Sequence, residues 1–133
     1  INLPMALNSM YKLLNPNGLI YAGFGPLYNF FNGDHGYTKA IFPWFHLILP
    51  NNFLIKNVNK TRENKISSIE QLGLNMYSLK KYKETFYNSK FDVVFFKTNC
   101  TSNKLAIPFK MLSKIKFLKE YFTFNIFTVL QKK

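Results

Sequence analysis

Hydrophobic positions along the chain change period several times. Leu3, Leu7, Met10 and Leu14 recur at helical spacing, and Pro4 suits a first helical turn, so an opening helix is expected. "NPNG" stops it, because Asn15 and Gly18 suit a helix end and Pro16 cannot continue one. Leu19–Gly25, "LIYAGFG", is apolar throughout, the pattern of a strand covered on both faces. From Pro26 to Lys65 no period is clear, although "AIFPWFHLILP" suits a short helix. Order resumes with a short helix at Ser67–Gly73. Ser78 then opens a second, whose Leu79, Tyr82 and Phe86 share a face while Lys80 and Glu84 pair outside. "FDVVFFK" reads as a strand, Ile107–Tyr121 as a helix with Met111, Leu112, Ile115, Leu118 and Phe122 in a buried stripe, and "FNIFTVLQKK" as a last strand. This alternation predicts an α/β layered sheet in a single domain, 1–133. The long aromatic segment 26–65 leaves the carboxyl end of a strand, where such sheets place their ligands.

Composition narrows the function classes. A chain of 133 residues with 47% hydrophobic and 18% aromatic content is not a disordered tail. The longest uncharged run, Ala40–Phe53, is too short and too interrupted to cross a membrane, and Ile1–Leu14 lacks the pattern of a secretion signal. Opening on Ile1 inside a helical pattern suggests part of a longer protein. The net charge of +12 invites RNA or an anionic membrane as partner. Of the 18 basic residues, however, only Arg62 carries the planar fork suited to phosphate recognition, and the excess of Lys, Asn, Ile and Phe is also what AT-rich coding yields. The single Cys100 excludes an internal disulfide and a cysteine metal cluster, and indicates a reducing, cytoplasmic setting.

"MALNSMYKLLNPNGLIYAGFGP" resembles the helix, Pro-Gly-Gly turn and fifth strand of class I S-adenosylmethionine-dependent methyltransferases. Leu14-Asn15-Pro16-Asn17-Gly18 matches the turn, with Asn17 in place of its first glycine. Gly25-Pro26, Gly33-Asp34-His35 and Pro43-Trp44-Phe45-His46-Leu47 follow in the order seen in some members of type 11-like domains. The resemblance implies a partial Rossmann-like sheet: the last three strands, the final one antiparallel, with flanking helices. It also implies S-adenosyl-L-methionine as cofactor and a small-molecule or lipid-like methyl acceptor. The elements that hold that cofactor, a glycine loop after the first strand and an acid ending the second, are not found, and Gly23-Phe24-Gly25 lacks the third glycine and following helix. The chain is then expected to be the carboxyl-terminal, substrate-side half, inactive alone. A non-catalytic basic module is the alternative.

Methyl transfer needs alignment, plus a base where an O–H or N–H loses its proton. His35 is the foremost candidate base, with neighbouring Asp34 to orient it or raise its pKa; equally, it reads as a turn histidine bonded to backbone. His46, amid apolar neighbours, reads as a second catalytic candidate or a buried structural histidine. Tyr28, Tyr37 and Trp44 are candidate substrate walls or plain packing. Two histidines without a further ligand make a poor metal site, so none is assigned. Cys100 reads as a structural thiol, and Lys80, Lys81 and Lys83 as a solvated helix face.

Overall fold

A computed structural model describes residues 2–39, 42–99 and 104–133, so Cys100 lies outside the described residues. Helix α1 spans Leu3–Leu13; the Asn2 side chain accepts a hydrogen bond from the Met5 N–H, and Pro4 occupies the first turn. Strand β1 (Leu19–Phe24) follows. Short helices α2 (Phe45–Ile48) and α3 (Asn51–Asn59) and a 3-10 turn (Ile69–Leu72) precede α4 (Leu79–Tyr87). Then come β2 (Phe91–Thr98), α5 (Ile107–Leu112), α6 (Lys119–Phe122) and β3 (Ile126–Lys132).

The fold is mixed α/β, with a three-stranded sheet in the order β1-β3-β2. Strand β3 is antiparallel to both neighbours, from Leu19 opposite Gln131 to Phe24 opposite Ile126 on one side, and from Phe91 opposite Lys132 on the other. The expected antiparallel placement of the final strand is therefore present. A bulge between Val93 and Phe95 breaks the second ladder.

Helices α1 and α4 pack on one face of this sheet. Leu3, Leu7, Leu79, Tyr82 and Phe86 meet Phe91, Ile126 and Leu130 in the main core, each fully buried side chain contributing roughly 1.5–3 kcal/mol. Leu79, Tyr82 and Phe86 share the buried face predicted for them, and Lys80 pairs with Glu84 at 3.7 Å outside. The opposite sheet face is open: Leu19, Phe95 and Phe127 are exposed, and Tyr21 is 77% exposed. The reading of β1 as covered on both faces is thus corrected. An apolar run reports only that its side chains dislike water, and among the described residues no helix lies over their second face.

Two further expectations change. The single helix over Ile107–Tyr121 is two short helices joined by turns, and Met111 is 64% exposed while Ile115 is also exposed. Ser113 helps break it, its hydroxyl bonding back to the Lys110 carbonyl. The aperiodic segment 26–65 contains α3, whose Leu54 and Val58, one turn apart, join Ile66, Ile69, Leu72 and Leu74 in a second core. The Asn59 amide closes that core's loop by bonding both the N–H and the C=O of Ile66.

Candidate functional site

The site begins where β1 ends. The peptide Gly25–Pro26 after it is cis, and the Leu27 N–H bonds the Phe124 carbonyl just ahead of β3. Here the backbone runs so close to Phe124 that a Cβ at Gly25 would sit 2.8 Å from its carbonyl oxygen. Residues 27–39 then wind through successive turns, with Phe30, Gly33, His35, Tyr37 and Lys39 N–H groups each bonding the carbonyl three residues back. Gly33 is required by its surroundings: a Cβ there would fall 2.1 Å from the Leu27 carbonyl oxygen and 2.2 Å from that of Tyr28.

Four polar side chains hold this coil. His35 Nε2 lies 3.1 Å from the Pro26 carbonyl oxygen, and His46 Nε2 lies 2.6 Å from that of Tyr28. A carbonyl only accepts, so both rings carry their proton on Nε2 and donate it. Asp34 is buried; its carboxylate accepts from the Gly36 and Thr38 N–H groups at 3.2 Å each and from the Thr38 hydroxyl at 2.5 Å. It forms no bond to His35. Glu120 ties the coil to the rest of the molecule, its Oε1 accepting from the Asn29 amide and from the Leu79 N–H at the start of α4, both at 2.8 Å.

These placements sort the sequence-predicted residues. His35, Tyr28 and Tyr37 meet at one cleft of about 320 Å³, between the end of β1 and the segment Leu72–Met76. The His35 and Tyr37 rings stack with centroids 6.5 Å apart. No described residue bonds His35 Nδ1, so that nitrogen of the exposed ring has no protein partner. His46 stands behind the cleft rather than in it, 2% exposed and edge-on to the Tyr28 ring at 5.1 Å. Asp34 braces the turn from within. Trp44 lies elsewhere, against Phe31 and Phe122 beside a separate groove.

The cleft also contains Asn75 and Tyr82, which sequence reasoning did not place in a site. Asn75 Oδ1 is buried without a hydrogen-bond partner among the described residues. Burial pushes the Tyr82 phenol above its ordinary pKa, against a hydrogen bond from Asn75. Burial likewise raises Tyr28, helped by the charges of Asp34 and Glu70. Both phenols therefore stay neutral hydrogen-bond donors well into the alkaline range. The signal for Asn75 was slight: one amide between the apolar residues of "LGLNMY".

A second cleft of about 510 Å³ lies along the same Gly23–Pro26 segment, walled by Phe30, Phe124 and Phe127. Among the described residues no group of three His, Cys, Asp or Glu side chains converges as a metal site would require. Models of protein families, characterised proteins and solved structures, each compared with this chain, return no match.

Proposed function

We propose that this chain is the substrate-side part of a class I S-adenosylmethionine-dependent methyltransferase domain, transferring a methyl group to a small-molecule or lipid-like acceptor. The observation that carries the reading is the cleft at the carboxyl end of β1, where an exposed histidine with a free ring nitrogen meets three tyrosine rings. The antiparallel β3 between β1 and β2 supports it, since a Rossmann-like methyltransferase sheet closes in that manner.

The residues present do not fit the cofactor itself. Neither cleft is lined by a carboxylate to take ribose hydroxyls, and Gly23 and Gly25, at the end of β1, lead into the turns after Pro26 rather than a helix N-terminus. What this chain supplies is the acceptor side. Tyr28 and Tyr37 flank a planar or apolar group, the neutral Tyr82 phenol and the Asn75 amide orient a polar substituent, and His35 Nδ1 takes the acceptor's proton. His35 Nε2–H, donating to Pro26, fixes the ring and gains strength as the ring becomes positive.

The test uses the polypeptide translated with the coding sequence upstream of Ile1. A strand followed by G-x-G-x-G is expected there, together with methyl transfer from labelled S-adenosylmethionine. In that protein His35→Ala lowers transfer about 10²–10⁴-fold while cofactor affinity is unchanged. Failure of the longer protein to bind the cofactor refutes the reading; normal turnover by His35→Ala removes His35 from the chemistry.

A further inference from the structure

The face built from α2, α5 and α6 carries a combination of residues that acceptor chemistry does not use. Trp44, Leu47, Ile48, Leu118, Tyr121 and Phe122 line a shallow groove of about 400 Å³. Ile48 on its rim is 72% exposed, and the turn leading into it presents Ile115 and Phe117, the latter 75% exposed. The same segment is basic throughout: Lys104, Lys110, Lys114, Lys116 and Lys119 lie between Asp92 and Glu120 with no acid among them. Glu120 itself is turned inward onto Asn29 and the start of α4. Lys114, Lys116 and Lys119 have no carboxylate partner among the described residues.

We infer that this face docks on an anionic phospholipid surface, with Ile48, Phe117 and Tyr121 entering the headgroup boundary and the lysines meeting lipid phosphates. Charge selects this occupant. A second copy of the chain would bring lysines against lysines at a net charge of +12 per copy. RNA would meet the lysines but leave Ile48 and Ile115 without a purpose, and the segment has no arginine. A lipid boundary satisfies both kinds of side chain at once, and binding there grows with buried apolar area and with basic charge together. No described helix is long and apolar enough to cross a membrane, so the contact is with the surface.

The groove joins the second cleft, which shares the Gly23–Pro26 segment with the candidate site, through rings. Trp44 packs on Phe31 and Phe122, Phe31 and Phe122 on Phe109, and Phe109 on Phe30, which walls the cleft beside Gly25 and Pro26. A surface-docked molecule therefore holds that cleft near its support. The inference itself needs no methyl transfer.

The test is sedimentation of the 133-residue chain with vesicles of phosphatidylcholine, with and without phosphatidylserine, read also by the emission of Trp44, the chain's one tryptophan. Expected are binding to the anionic vesicles only, a blue shift on binding, and weakening by salt. Lys114→Ala and Lys116→Ala each weaken it about fivefold. Ile48→Asp with Phe117→Asp abolishes it at an unchanged thermal melt, while Lys56→Ala and Lys60→Ala, outside the lysine run 104–119, leave it unaltered. The inference is overturned by absence of vesicle binding, by binding indifferent to Ile48 and Phe117, by salt-sensitive RNA retention in its place, or by self-association that the Ile48 and Phe117 changes remove.

Discussion

The sheet with α1 and α4, and the coil from Pro26 to Thr38, are held together in opposite ways. The first is a layer of apolar side chains, Leu3, Leu7, Phe86, Ile126 and Leu130 among them, in which many contacts share the stabilisation. The second has little core of its own. It rests on a few bonds, from His35, His46 and Asp34 to backbone groups and between Glu120 and the Asn29 amide, and on one glycine with no space for a side chain. Stability by burial is distributed and non-directional. Shape held by polar side chains on backbone is local and all-or-none at each bond.

That contrast breaks first at Phe86, which is fully buried. Phe86→Ala is expected to cost about 3–5 kcal/mol and to lower urea stability globally, since the ring touches Phe24, Tyr82 and Phe96. Gly33→Ala ranks next. Its Cβ would collide with main-chain oxygens that no rotamer change can move, so a loss above about 3 kcal/mol is expected. Hydrogen exchange distinguishes the two: Phe86→Ala accelerates sheet amides, whereas Gly33→Ala accelerates those of the Leu27–Thr38 coil first.

The histidines sharpen the comparison. His46→Ala strands the Tyr28 carbonyl inside the protein and should cost about 1–3 kcal/mol. His35→Ala, at an exposed ring, should cost about 0.5–1.5 kcal/mol. Equal losses in urea titrations would contradict their assignment to wall and mouth. The smallest effect comes from pH. Tyr28 and Tyr82 have folded-state pKa values raised above the ordinary 10.0. Folded protein therefore binds more protons than unfolded protein above that pH, and stability is unaffected below it but falls as pH rises through and beyond it. Tyr82→Phe should flatten this alkaline decline in melting temperature.

Legibility in the sequence followed the same division. Leu79, Tyr82 and Phe86 could be read because burial repeats with the helix, and β2 and β3 because β-branched and aromatic residues cluster there. Of the site, the sequence placed His35, Tyr28 and Tyr37 in one region, and the structure gathers them at one cleft. It could not show that Asp34 would spend its carboxylate on Gly36 and Thr38, or that Trp44 would face another groove, since such choices depend on backbone angles. Among the described residues six non-glycine positions have positive φ, His35 and Trp44 among them, and mark those places. Helix α3 was legible in principle from Leu54 and Val58, but surrounding asparagines and aromatics obscured its period.

The sheet order carries a consequence for how this polypeptide comes into being. Strands β1 and β2 do not pair with each other, and both ladders run through β3, the last of the three along the sequence. Until residues 126–132 have been made, β1 and β2 have no strand to pair through, and the apolar faces of α1 and α4 lack Ile126 and Leu130. The sheet can therefore close only once the seven residues of β3 have been made, late relative to both strands that flank it.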